Sequence, residues 1–117
     1  MSKAPRVVNW KETAFVPYPA IDGADTGLSW CPVRSGDESG AGFYVMKVAP
    51  GGGAKLHHHH AQEEFLILEG ELQDIGGRTY RTGDCVSFPP GSSHATVSPG
   101  GCTLVAFISG ELSIEEA

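Results

Sequence analysis

Gly51-Gly-Gly-Ala-Lys-Leu-His57-His-His59-His-Ala-Gln-Glu63-Glu-Phe-Leu-Ile-Leu-Glu-Gly70 is the stretch on which the reading of this chain turns. On a helix, residues two apart point to nearly opposite sides, so His57 and His59 could not share an ion there. On a strand the side-chain period is two, which puts His57 and His59 on one face and His58 and His60 on the other. A helix fails on its own terms as well. Leu56, His60, Glu64 and Ile67 make no apolar stripe, whereas Phe65-Leu-Ile-Leu68 is a short unbroken apolar run of buried-strand type. Four histidines in a row look like an affinity tag, but this run is internal and flows into an apolar segment. Strand is expected throughout.

A second segment, Gly83-Asp-Cys-Val-Ser-Phe-Pro89-Pro-Gly91-Ser-Ser-His94, adds one more histidine after a Gly/Pro-rich turn. Imidazole and carboxylate are donors that borderline transition metals accept. Spacing alone leaves the register open, because His58-x-His60-x-x-x-Glu64 repeats the pattern of His57-x-His59-x-x-x-Glu63. A bland alternative stands beside both: a His-rich surface tract with solvated glutamates, and His94 as a turn residue.

At 117 residues the chain has the length of one domain, 1–117, with an N-terminal arm to about residue 20. Sixteen Gly and eight Pro punctuate it, and only 54–69 runs longer than a dozen residues without either. Long helices therefore have little room. Strands are expected at Pro5–Trp10, Ala14–Tyr18, Leu28–Val33, Gly42–Val48, Ala54–His59, Glu63–Glu69, Glu71–Asp74, Thr79–Thr82, Asp84–Phe88, Ala95–Ser98 and Cys102–Ser109. Gly76-Gly77 reads as a hairpin turn and Pro50–Gly53 as a loop. The pattern is that of an all-β barrel or sandwich.

A formal charge of −6, with no visible basic patch, argues against nucleic acid as a partner and disfavours an anionic membrane surface. No apolar run approaches the roughly 18–20 residues of a spanning helix. Met-Ser-Lys-Ala-Pro-Arg has no hydrophobic stretch behind it, so no secretory signal is read and a cytoplasmic location is expected. The acidic tail from Glu111 to Ala117 reads as a solvated end. Cys31, Cys85 and Cys102 lack C-x-x-C spacing and are expected as reduced, buried core thiols.

Taken together, the two segments resemble the cupins, a superfamily of RmlC-like proteins. Their motifs read G-x5-H-x-H-x3-4-E-x6-G and G-x5-P-x-G-x2-H-x3-N. Measured from Gly51 to Gly70, only His57, His59 and Glu63 satisfy every spacer of the first, and Gly83, Pro89, Gly91 and His94 satisfy the second. Ser98 stands where the family has its closing Asn, which puts the local loop geometry in question more than the metal. The resemblance implies a double-stranded β-helix, or jelly-roll, barrel. It also implies one divalent transition metal per chain (Fe, Zn, Ni or Mn), held by His57, His59, Glu63 and His94.

A narrower likeness runs through Glu63–Leu72, Tyr80–Asp84, Phe88–His94 and Ser98–Leu104, and more loosely through 27–50. There the chain looks like the ChrR-type cupins. Some of these are domains of zinc-dependent anti-sigma factors; others are small non-haem iron dioxygenases that cleave diketones and hydroxyketones. Nothing before residue 54 reads as the helical zinc-binding part of an anti-sigma factor, so a freestanding cupin is expected. The likeness implies a metal-dependent dioxygenase acting on a small organic substrate. The alternatives are a non-catalytic metal- or ligand-sensing module and a metal-assisted isomerase or lyase. Trp30, Phe43, Tyr44, Met46, Phe88 and Phe107 are bulky enough to wall a pocket, with Tyr44, Met46, Phe88 and Phe107 the leading candidates. Tyr44 stands first among them because its hydroxyl could orient a ligand. Trp10 and Phe15 could pack across a neighbouring subunit, and a homodimer is expected from the resemblance.

Overall fold

In the computed structural model, residues 4–18, 26–35, 42–54, 56–59, 62–108 and 112–114 are described, with the side chains of 26, 35, 57–59 and 112–114 outside that description. Eleven strands and no helix occur among the described residues: β1 (Val16–Pro17), β2 (Thr26–Ser35), β3 (Gly42–Gly53), β4 (His57–His59), β5 (Glu63–Asp74), β6 (Thr79–Arg81), β7 (Cys85–Phe88), β8 (Ser93–His94), β9 (Thr96–Val97), β10 (Cys102–Ile108) and β11 (Leu112–Ile114). One antiparallel sheet runs in the order β1-β2-β3-β10-β5-β6, with β7 and β9 also paired to β5. A second sheet runs β11-β4-β8. This is an all-β architecture of two antiparallel sheets, as the resemblance to the cupins implies.

Alternation along the strands builds the core. On β5, Glu63, Phe65 and Ile67 are buried while Glu64 is exposed. On β10, Cys102, Leu104, Ala106 and Ile108 face inward and Phe107 faces out. These side chains join Tyr44, Val48, Leu72 and Tyr80 in one buried cluster, against which Tyr18, Leu28, Trp30, Met46, Val86 and Phe88 pack. Period-two burial on both strands is what a half-buried sheet requires.

Several expectations change. Glu63–Asp74 is one strand rather than two. It carries on through Gly70, and the register with β10 shifts between Thr103 and Leu104. Gly70 has φ +82°, and a Cβ there would stand 2.3 Å from the Gly101 carbonyl oxygen, so no other residue fits without backbone movement. Likewise β3 extends to Gly53, through the expected loop. At Gly53 a Cβ would meet the Thr96 carbonyl oxygen at 1.9 Å.

Pro5–Trp10 is not a strand; it leads into a turn at Asn9, whose side-chain oxygen accepts from the Lys11 amide and whose carbonyl accepts from the Glu12 amide. Asn favours such turns because its short side chain bonds the backbone two residues on. Beyond the turn, the arm lies on its own sheet. The Lys47 ammonium stands 4.4 Å from the Phe15 ring centroid and 5.9 Å from that of Trp10.

The acidic tail is not wholly a free end, since Leu112, Ser113 and Ile114 pair with His59, His58 and His57. Cys31 and Cys102 are buried as expected, but Cys85 is exposed. On β7, Val86 and Phe88 take the inward parity and leave Cys85 and Ser87 outward.

Candidate functional site

Glu63 opens β5, where the register places it between Phe88 of β7 and Ile108 of β10. Its inward parity follows from Phe65 and Ile67 two and four residues on. His94 lies on β8, held beside β4 so that the backbone of His57 is opposite His94 and that of His58 opposite Ser93. The turn before it is closed by Ser92, whose amide and hydroxyl both donate to the Pro89 carbonyl. Both residues are buried, each 9% exposed. His94 Nε2 is 3.2 Å from Glu63 Oε1.

This separation suits a shared ion. Two donors each about 2.1 Å from a divalent metal stand about 3.0–3.4 Å apart, from right-angle to tetrahedral geometry. One buried imidazole and one buried carboxylate, beside a strand that carries three consecutive histidines, form a donor set that fits such an ion. The side chains of His57 and His59 lie outside the described residues; the structure places their backbone beside His94. Glu64, the carboxylate of the competing register, is exposed and accepts from Gln62 Nε2 at 3.2 Å.

The other face of the His94 ring is equally constrained. Nδ1 is 3.4 Å from Asp74 Oδ1, and the Tyr80 hydroxyl donates to Asp74 Oδ2. Phe88 covers His94, with ring centroids 4.2 Å apart, and packs in turn against Phe65 and Tyr80. Neither Asp74 nor Tyr80 stands out in the sequence. Asp74 ends the expected strand Glu71–Asp74 just before the Gly76-Gly77 hairpin, and Tyr80 falls in the expected strand Thr79–Thr82; neither reads as a site residue.

A second aromatic group, Tyr18, Trp30 and Tyr44, packs with ring centroids 5.1–5.8 Å apart. The Tyr18 and Tyr44 hydroxyls are hydrogen-bonded to each other. Burial pushes Tyr44 well above its ordinary range, and the Glu63 carboxylate adds to the effect. Tyr18 is raised too, by burial first and by Glu63, against the lowering effect of the Tyr44 hydrogen bond. Both hydroxyls therefore stay protonated at neutral pH, within the field of the Glu63 carboxylate. Tyr18 is a residue that the sequence does not single out, since the run connecting it to the rest of the sheet carries no motif.

Of the four leading pocket candidates, Tyr44 and Met46 sit on the inward side of β3, and Phe88 stacks on His94. Phe107 does not join them. It is 41% exposed on the outer face, beneath the Arg34 guanidinium at 5.6 Å. The parity of β10, fixed by Ala106 and Ile108 pointing inward, sends it out. A groove of about 480 Å³ lies elsewhere, between Lys47, Glu69, Gly70 and Thr103, and its lining includes neither Glu63 nor His94.

Ser98 fills the place where the motif has Asn. It is fully buried, its hydroxyl donates to the Glu71 carbonyl at 2.5 Å, and its own carbonyl accepts from the Gly51 amide at 2.8 Å. The serine thus ties the end of the second motif to the start of the first.

Comparison with known proteins agrees with this fold. An acetylacetone dioxygenase from Acinetobacter johnsonii superposes with a TM-score of 0.81 at 19% identity, over 99% of this chain and 81% of that one. The polyketide cyclase RemF from Streptomyces resistomycificus gives 0.74 at 16% identity, over 100% and 87%. The anti-sigma protein ChrR of Rhodobacter sphaeroides, solved with SigE, gives 0.64 at 18% identity, over 84% of this chain and 49% of that one. At these identities the likeness is one of fold. No curated protein matches the chain in sequence. The model of the ChrR cupin-like domain matches residues 3–111, and the chain belongs to that family.

Proposed function

We propose that this protein is a metal-dependent oxygenase of a small ketone or diketone, with one divalent metal held by His57, His59, Glu63 and His94. The observation that carries the reading is the buried Glu63–His94 pair, 3.2 Å apart beside the histidine strand. A metal bound there supplies Lewis acidity and, as iron, the redox couple that dioxygen chemistry needs.

The protein's own groups supply the rest. Glu63 contributes the one negative charge of the donor set, so a divalent ion keeps net positive charge toward an anionic enolate. Phe88 shields His94 from water. Tyr18 and Tyr44 share a hydrogen bond and both stay protonated, so the pair holds one further O–H that can be donated to a substrate oxygen, a role we assign to Tyr18. The aromatic group around it, with Trp30 and Met46, is apolar enough to favour a small, weakly polar substrate. The dioxygenase among the structural neighbours supports this choice of substrate class, and the cyclase and anti-sigma neighbours mark the competing readings.

The test is elemental analysis of untagged protein purified without added metal, followed by oxygen uptake on a panel of small diketones. Iron near one per chain with substrate-dependent uptake is the expected result. Turnover that proceeds anaerobically points instead to an isomerase or lyase. Tightly held zinc with no uptake after iron reconstitution points to a sensing module.

A further inference from the structure

Asp74 is fixed from three sides. Its backbone closes the β5–β6 hairpin, with its amide donating to the Arg78 carbonyl at 2.8 Å and its carbonyl accepting from the Gly77 amide at 2.9 Å. Beside it, the Ile75 amide donates to the Ala95 carbonyl at 2.9 Å, which pins the hairpin to the residue that follows His94. Its side chain divides two oxygens between two partners: Oδ2 accepts from the Tyr80 hydroxyl, and Oδ1 faces His94 Nδ1 at 3.4 Å. Tyr80 is itself held in the core, its ring edge-on to Phe65 with centroids 5.6 Å apart.

A neutral imidazole carries one N–H, and the other nitrogen offers the lone pair that a metal takes. Here the two nitrogens face different carboxylates. Nε2 points to Glu63, the carboxylate of the donor set, and Nδ1 to Asp74, which lies on the far side of the ring. We propose that Asp74, braced by Tyr80, is a positioning residue that holds the His94 proton on Nδ1 and so presents the Nε2 lone pair to the metal. This inference rests on the metal-centre reading above. The braced carboxylate fixes the orientation of the His94 ring, and loss of such a partner commonly weakens metal binding about 10–100-fold. Tyr80 acts by aiming Asp74. Burial and Asp74 raise its own ionisation far above neutrality, so it remains a donor.

Cobalt(II) serves as the probe, through chelator competition and its visible spectrum, together with ¹⁵N-histidine NMR of the zinc-loaded protein. Asp74→Asn, which is nearly isosteric, is expected to weaken cobalt about tenfold or more and to shift its visible bands, with the apo protein melting as before. Tyr80→Phe keeps the ring packed and removes only the hydroxyl; a smaller loss in the same direction is expected. In the wild type the NMR should show His94 protonated at Nδ1. Cobalt affinity in both variants within twofold of wild type, or His94 protonated at Nε2 in the zinc form, overturns the positioning role alone, provided that His94→Ala abolishes binding. Should the wild type bind no cobalt, or His94→Ala bind it as well as wild type, the metal-centre reading fails and this one with it.

Discussion

His94 Nε2 and Glu63 Oε1 meet 3.2 Å apart in the interior, although one lies at the start of β5 and the other on β8 in a different sheet. The two sheets are brought together at this point, so an ion shared by the pair ties them to each other. A ligand that binds only the folded state stabilises it by about 2.7 kcal/mol at a hundredfold excess over Kd. For a domain of this size that amounts to a rise of about 10 °C in Tm. Wild-type protein is expected to show such a rise on titration with zinc or iron(II). In His94→Ala and Glu63→Gln it should shrink to a small fraction, as read by a thermal melt with and without metal.

The register of the histidine run is open to a direct count. Glu63 is buried and Glu64 exposed, and β4 sets the backbone of His57 opposite His94. His57→Ala and His59→Ala should therefore lose the metal, while His58→Ala and His60→Ala retain about one per chain by elemental analysis. Loss in His58→Ala with retention in His57→Ala would move the site to the neighbouring register.

Gly70 combines a left-handed backbone with a closed space, since a Cβ would press on the backbone of Gly101 and Cys102. Strain of the backbone alone amounts to about 1–3 kcal/mol, and the contact at 2.3 Å adds to it. Gly70→Ala should lower the denaturation midpoint clearly. Gly76→Ala, where nothing lies within 4 Å of the added Cβ, is the control and should be near neutral.

Much of this arrangement can be read in the sequence because it rests on local rules. Period-two spacing predicts the strand at the histidines, and Phe65–Leu68 predicts the buried run that follows. The motif spacers single out Glu63 rather than Glu64, in agreement with their burial. What the sequence conceals is long-range. Asp74 reads only as the end of a strand because its partner His94 becomes a neighbour only when β9 pairs with the end of β5. Phe107 reads as a possible wall because the apolar run Thr103–Ile108 does not itself show which parity faces inward, and parity cannot be carried to it across the loops from other strands. Leu112–Ile114 is short, acid-flanked and without turn signals, so its pairing with β4 leaves no local mark.

That pairing has a functional consequence. β4 is three residues long, and β11 and β8 flank it on its two edges. A strand so short draws its order from its neighbours rather than from its own length. Ending the chain after Gly110 should speed amide hydrogen exchange at 57–59 and weaken metal binding, while β5 and β10 keep their protection. Unchanged exchange at 57–59 would show that β8 alone holds the strand.

Under the proposed oxygenase reading, variants of Tyr18 and Tyr44 distinguish metal binding from substrate handling. The two hydroxyls share a hydrogen bond, and the free O–H is there assigned to Tyr18. A hydrogen bond to a charged group contributes about 1.5–3 kcal/mol, or about 10–100-fold in rate if it forms only as charge develops. Tyr18→Phe keeps the edge-on contact with Trp30 and removes only the hydroxyl. It is expected to retain the metal at wild-type stoichiometry and to lose that factor in kcat on a diketone that the wild type oxidises. Tyr44→Phe should lose less, because it removes a hydrogen-bond partner of Tyr18 and leaves the Tyr18 hydroxyl in place. A fall confined to KM would assign Tyr18 to binding alone, and equal rates in all three proteins would remove both tyrosines from the reaction.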